Sequence, residues 1–248
     1  MIQSLDRGIK ILDLMAEKNL VGVVEAASFL GINKSSAFRL LDTLRANSLV
    51  EKDKTTDKYK ICARILKYSN AFMDNSIGRI IHPYLEKLVA VTKENAHCCV
   101  FSEGKIIVID QIRGKEIINI TAHVGREEKI YCTSIGKAIF AFLPDDIQEG
   151  IIDSIELLPM TNRTITSKVI LREHLKKIRN DGYAVDDEEN TDNVRCIAAP
   201  IRNNAGEVIY SIGISAPSMR LDLRMVPEHA KIVMSIADEI SAQLGYIR

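Results

Sequence analysis

The stretch GYAVDDEENTDNVRCIAAPIRNNAGEVIYSIGIS, Gly182 to Ser215, sets acids and a thiol between short apolar runs. Tyr183 to Val185 is apolar and Asp186 to Asn190 reads as an acidic loop. Val194 to Ile201 and Glu207 to Ser215 then flank the tetrad Asn203-Asn204-Ala205-Gly206. Two apolar runs around an Asn/Gly turn predict a β-hairpin. Side chains alternate along a strand, so Cys196, Ala198 and Pro200 share one face and Arg195, Ile197 and Ala199 the other, while Gly213 and Ser215 share a face of the partner strand. Small and polar residues then line a concavity, the form of a binding site inside a sheet. Composition alone also allows a blander reading, with Cys196 a small buried apolar residue and the acids a solvated loop.

The flanking sequence supplies more of the same layer. Residues 167 to 182 predict an amphipathic helix, with Ser167 as cap, Leu171, Leu175 and Ile178 buried, and Gly182 as stop. HCCVFSEGKIIVIDQIRG, His97 to Gly114, reads as two strands around a Glu103-Gly104 turn, and Ile117 to Ala122 as a further strand. Ser134 is placed to cap a buried helix that starts at Ile135-Gly136-Lys137 and ends before Pro144, and its free N–H groups suit an anion. Pro227 opens a last helix through Leu244. Residues 62 to 93 read as two helices separated at Asn75-Ser76, the second starting near His82 because of Pro83.

The N-terminal part has a different pattern. Ser4 predicts a cap for a helix to about Lys18 with Leu5, Ile9, Leu12 and Met15 or Ala16 on its apolar face. Val24 to Leu30 is a short second helix, Gly31 a turn, and Asn33 the cap of a third helix to about Asn47, the sequence form of a helix-turn-helix. Ala37, Leu40, Leu41 and Leu44 make that helix's core stripe. Lys34, Ser35, Ser36, Phe38, Arg39 and Arg45 are left outward, where a helix in a DNA groove would present them. EKDKTTDKYKI folds into two short arms, a wing that offers Lys52, Lys58 and Lys60 to phosphates.

The 248 residues are 46% apolar, enough for two cores, and carry no net formal charge. The balance is uneven: residues 1–67 hold 12 Lys or Arg against 8 Asp or Glu, so a modestly basic module precedes a modestly acidic one. There is no apolar run of membrane-spanning length and no leader-like N-terminus, which predicts a cytoplasmic protein without a membrane partner. The five cysteines (62, 98, 99, 132, 196) form no CxxC, so reduced thiols are expected rather than disulfides or a zinc ribbon.

Several of these segments resemble the IclR family of bacterial transcription regulators. QSLDRGIKILDLMAE and EAASFLGINKSSAFRLLDTLRANSLVEK are similar to its winged helix-turn-helix. CTSIGKAIFAFLP, ITSKVILREHLKKIRNDGYAVDDEEN and VRCIAAPI are similar to its effector-domain motifs, in the family's order. The resemblance implies an α+β chain with a winged helix-turn-helix over 1–61, a linker helix over 62–78, and a GAF-like effector domain with a mostly antiparallel sheet over 79–248. It implies a ligand-responsive repressor of a catabolic operon that binds a pseudo-palindromic double-stranded DNA operator as a homodimer or dimer of dimers, with no cofactor. The effector is expected against Ser134, Ile135, Gly136, Asp186, Cys196 and Ser215, with Ile120, Cys132, Val194 and Gly213 around them. Asn193 stands where the family usually has glycine, a serine common near Gly213 is absent, and Glu128-Lys129 replace an apolar residue and proline.

The residues themselves suggest the effector's chemistry. The N–H groups of Ile135 and Gly136 with the Ser134 hydroxyl suit a carboxylate, and Asp186 suits hydroxyl protons, so a small sugar acid or keto acid is expected. Two other readings of these residues compete with that one. A cysteine-dependent enzyme, using Cys196 or Cys132 with His97 as base, lacks any GxSxG, GxxxxGKS/T or HExxH motif. A redox or metal sensor on His97-Cys98-Cys99 is disfavoured because adjacent strand residues point to opposite faces.

Overall fold

A computed structural model describes residues 1–74, 78–118, 120 and 122–247. The chain divides into two compact units, Met1–Ser76 and Ile77–Arg248. In the first, helices α1 (Gln3–Lys18), α2 (Val23–Leu30) and α3 (Lys34–Ala46) are followed by the antiparallel strands β1 (Val50–Lys52) and β2 (Tyr59–Ile61). Ile11, Met15, Ala26, Ala37, Leu41, Val50 and Tyr59 form its core. The α2–α3 turn is made by Gly31, at φ 62°, and by Asn33, whose side chain accepts the Ser36 N–H at 2.8 Å. Both assignments match the sequence signals.

The first helix departs from expectation. Its N-cap is Ile2, without a side-chain bond, and Ser4 lies inside the helix. Its buried residues are Gly8, Ile11, Leu14 and Met15, while Leu5 (61% exposed) and Ile9 (51%) face away from this unit's core. Gly8 lies on the buried side against Leu44 of α3, where a Cβ would stand at an ordinary 3.9 Å from Leu44 Cδ2. After the wing comes a 3-10 turn, Ala63–Ile65, and then α4 (Leu66–Asp74), within the span expected for the linker. The predicted break at Asn75-Ser76 lies outside the described residues.

The second unit is built on one antiparallel sheet. Its strands are β3 (Asn95–Ser102), β4 (Lys105–Ile112), β5 (Glu127–Glu128), β6 (Ala184–Asp187), β7 (Val194–Arg202) and β8 (Val208–Pro217), in the order β5-β4-β3-β8-β7-β6. Helices α5 (Gly78–Thr92) and α9 (Val226–Gln243) pack on one face, over Ile197, Ala199, Ile212 and Ile214. On the other, α6 (Ser134–Phe140), α7 (Asp145–Ser154) and α8 (Lys168–Asp181) cover Cys99, Ile106, Val108 and Ala198. A sheet buried on both faces accounts for the near-continuous apolar runs of β7 and β8.

The hairpin has the register that alternation requires, with Cys196 opposite Ser215 and Ala198 opposite Gly213. The start and stop of α8 also follow the sequence: Ser167 accepts the Ile170 N–H at 3.5 Å and Gly182 turns left-handed at φ 80°. Two expectations are corrected. Helix α5 begins at Gly78, so Pro83 lies within it. One lost ladder bond near a helix start is tolerated where Ile81, Leu85 and Leu88 are buried along the same face. Ile117 to Ala122 forms no strand among the described residues, and Ile117 is fully exposed. The β4 edge is taken instead by residues 125–128, with Val108 N–H on the Arg126 carbonyl at 3.0 Å and Ile106 opposite Glu128. Helix α7 was not foreseen at all, although Pro144 before Asp145-Asp146 is a start signal.

Candidate functional site

Between α6, the sheet and the loop after β6 lies a cavity of about 160 Å³. Ser134, Ile135 and Thr133 border it from the helix side, Asp186, Val194, Cys196, Ser215 and His97 from the sheet, and Ile120, Ala122, Arg126 and Glu128 from the strand-edge segment. Asn190 and Thr191 complete the wall. Cys132, Gly136 and Gly213, expected at the ligand, do not line it. The Cys132 thiol turns to Asn190 Oδ1 at 3.5 Å. The two glycines are packed against backbone: a Cβ at Gly136 would meet the Lys129 carbonyl oxygen at 2.6 Å, and one at Gly213 the Ile197 carbonyl oxygen at 2.5 Å.

The cap of α6 is Thr133, not Ser134. Thr133 Oγ1 accepts the Gly136 N–H at 3.1 Å and donates to the Lys129 carbonyl at 2.7 Å, so Gly136 has no N–H to give a ligand. Displaced by one position, Ser134 keeps a hydroxyl that is buried without a hydrogen-bond partner. Such groups are rare in folded proteins and point to something that completes them.

The acidic loop is not solvated. Arg195, 5% exposed, bonds Asp187 through Nε at 2.7 Å and the Leu221 carbonyl at 2.5 Å, and Arg163 reaches Asp187 at 2.7 Å. Lys137, wholly buried, donates to the Val185 carbonyl at 2.7 Å and is ion-paired with Glu189. Thr164 Oγ1 holds the Glu189 carbonyl at 2.6 Å. Asp186 uses Oδ1 to accept the N–H groups of Glu189 (2.7 Å) and Asn190 (3.3 Å). Burial pushes its carboxyl up to about 7, opposed by the nearby Lys137 ammonium and assisted by Glu189. Asn193 sits at φ 61°, a conformation asparagine tolerates better than most residues, which is how it replaces a glycine there.

The thiols are inert. Burial holds the Cys132 thiol up at about 12, and the Cys196 thiol, 3.0 Å from Ser215 Oγ, is raised further by burial and by Asp186. Neither has the stabilised thiolate that nucleophilic catalysis needs. Cys98 faces one core and Cys99 the other. Among the described residues no group of three or more His, Cys, Asp or Glu is placed to hold a metal.

His97, Arg126, Glu128, Thr133, Asn190 and Thr191 escaped the sequence reading of the cavity. For His97 the signal existed: strand alternation places it with Cys99, on the face of Cys196. Glu128 is half-buried, with the Arg126 Nε 3.7 Å away, and the partial burial raises its carboxyl.

In the first unit, Lys34, Ser35, Phe38 and Arg39 are exposed along α3 and Ser36 is half-buried. Ser35 Oγ donates to Asn33 Oδ1 at 2.8 Å, and Arg45 is paired with Asp42 at 2.7 Å. The Lys34 ammonium and Arg39 guanidinium have no partner among the described residues. Each wing lysine has one: Lys52 with Asp57 (2.5 Å), Lys58 with Glu25 (3.2 Å) and Lys60 with Glu51 (3.1 Å).

No helix among the described residues is long and apolar enough to cross a membrane. Residues 4–54 match the IclR helix-turn-helix domain, and residues 70–242 match the domain described as bacterial transcriptional regulator IclR C-terminal. The transcriptional repressor IclR of Escherichia coli (strain K12) is 30% identical over 251 aligned positions, covering 100% of this chain and 92% of that protein. The crystal structure of the Thermotoga maritima IclR superposes with a TM-score of 0.82 at 28% identity, over 99% of this chain and 100% of that one. An IclR homolog from Microbacterium hydrocarbonoxydans, complexed with 4-hydroxybenzoate, shares the fold, with a TM-score of 0.86 at 18% identity over 98% and 99% of the two chains.

Proposed function

The chain belongs to the IclR family of bacterial transcriptional regulators, and from that premise we propose that it represses a catabolic operon and is released from its operator by a small organic acid. It is a DNA-binding regulator and not an enzyme, in keeping with its inert thiols. The observation that carries the effector reading is the buried, unpartnered Ser134 hydroxyl at a cavity that also holds Arg126 and Asp186. The hydroxyl and the guanidinium suit a carboxylate at one end, and Asp186 suits a hydroxyl at the other. At 160 Å³ the space takes roughly ten non-hydrogen atoms, each given about the volume one water needs. A sugar acid or keto acid fits it. The 4-hydroxybenzoate bound by the Microbacterium homolog is likewise a carboxylate with a hydroxyl.

For DNA, the proposal assigns Lys34, Ser35, Ser36, Phe38 and Arg39 to the groove and Arg45, Lys52 and Lys58 to the phosphate backbone. Residues 1–61 read the operator, 62–78 transmit and 79–248 sense. A homodimer or dimer of dimers then meets a pseudo-palindrome whose half-sites lie about one turn, roughly 10 bp, or a multiple of it apart.

The test is fluorescence anisotropy of the full chain on duplexes tiled across the region upstream of its own gene and of adjacent operons. The duplex bound tightest is then titrated with gluconate, lactate, pyruvate and 4-hydroxybenzoate at fixed salt. One of these acids is expected to weaken binding by about fivefold or more, the lower range of a coupling between sites. Unchanged affinity with all four would overturn the small-acid reading.

A further inference from the structure

His97 lies on the face of β3 that turns toward α6, opposite Gly213 in the ladder. Residues directly opposite each other present their side chains to the same face. Gly213 has none to present, and a Cβ there would also stand 2.9 Å from the Ala198 Cβ. At this level of the sheet, next to the Cys196–Ser215 pair, the polar side chain is the imidazole.

A buried histidine ordinarily fixes its ring by a hydrogen bond from one nitrogen. His82 and His229 in the same unit do so, to Asp110 at 2.8 Å and to the Met225 carbonyl at 3.0 Å, though both are far more exposed. His97 is only 7% exposed, lines the cavity, and has no hydrogen-bond partner among the described residues. Burial depresses its pKa to about 4, so near neutral pH the ring carries one N–H and one lone pair. The fully buried Ser134 hydroxyl, which has no hydrogen-bond partner, and the 7% exposed imidazole, whose ring is bonded to none of the described residues, therefore border one cavity.

We propose that His97 is a ligand-contacting, specificity-determining residue of this cavity, its ring N–H donating to the keto or hydroxyl oxygen of an acid whose carboxylate is held at Ser134. The assignment rests on the small-acid reading above. A single directional donor reads an oxygen at one position, so the corresponding deoxygenated acid is discriminated against by the unmet imidazole.

Calorimetric titration of the full chain tests it, with pyruvate, lactate, gluconate and 4-hydroxybenzoate, with propionate as the deoxygenated control, on wild type, His97→Phe and His97→Gln. The acid that wild type binds tightest is expected to bind His97→Phe about tenfold or more weaker. His97→Gln, which keeps an N–H, is expected to retain part of the affinity and of the preference over propionate. The ligand-free melting temperature of His97→Phe is expected to stay level or rise, because an unmet buried polar group has been replaced by an apolar ring. Affinity within twofold of wild type in His97→Phe overturns the proposal and leaves the small-acid reading standing. A melting temperature lowered in both variants, with affinity lost equally in both, makes His97 structural and also overturns it. Wild type that binds none of the acids overturns the small-acid reading and this assignment together.

Discussion

Lys137 and Glu189 form an ion pair wholly inside the C-terminal unit, with Asp186 as the neighbouring acid. Removing the cation alone strands two carboxyls in a medium that disfavours their charge. Lys137→Met is expected to lower stability by about 3–5 kcal/mol, whereas Lys137→Met with Glu189→Leu recovers most of that loss. Urea denaturation of both variants measures it, and a single variant as stable as wild type shows that the pair contributes nothing.

Asp186 makes stability depend on pH in an unusual direction. Its folded carboxyl keeps a proton up to about pH 7, whereas unfolded it releases the proton near the ordinary 3.8. Between those values the folded state binds more protons, so the contribution is fully present below about pH 4 and is lost as pH rises through 7. Asp186→Asn is expected to flatten the decline in unfolding free energy over this window. An identical pH profile in the variant would place the titration elsewhere.

An anion entering beside Asp186 favours the protonated carboxyl further. Effector binding is therefore expected to take up protons at pH 7 to 8 and to weaken at higher pH. Calorimetry in buffers of different ionisation enthalpy reads the uptake; Asp186→Asn abolishes it if the carboxyl is its source.

On the DNA side, Arg39→Ala is expected to cost about 1–3 kcal/mol on the operator and little on unrelated duplexes. Lys58→Ala is expected to weaken all duplexes alike and to reduce the salt slope by about 1. Equal operator affinity for Arg39→Ala and wild type removes that residue from the readout.

The helix α4 supplies a test of transmission. Leu66→Gly with Ala71→Gly, each about 1 kcal/mol against the helix, is expected to leave acid binding intact while operator affinity stops responding to it. A response of wild-type size argues against a stiff connection.

What the sequence disclosed about this molecule depended on how local the cause was. Gly31 and Gly182 act through their own backbone and Asn33 and Ser167 through a side chain that reaches three residues on, and the elements they start or stop lie where pattern placed them. The Cys196–Ser215 register followed from strand period alone. The partners of those elements were less visible. The face that α1 buries and the pairing of β4 with residues 125–128 both depend on segments some twenty or more residues away along the chain, which local pattern does not report. Ser134 and Thr133 differ by one residue in cap position, a distance that sequence pattern does not resolve. His97 enters the sequence reading only in the two disfavoured alternatives, as a base or as part of a metal or redox site, because its lack of a hydrogen-bond partner is a property of the folded surroundings.

The pairing of Lys52, Lys58 and Lys60 with Asp57, Glu25 and Glu51 bears on how the protein finds its target among all other DNA. Each lysine exchanges an exposed acid for a phosphate, so it adds to binding on any duplex by the difference between two ion pairs and carries no preference among sequences. The partnerless Lys34 and Arg39 sit on the helix assigned to the groove, where matched bases add to the exchange. A module arranged in this way is expected to owe its choice of site to the groove helix, with the wing setting only how tightly any duplex is held.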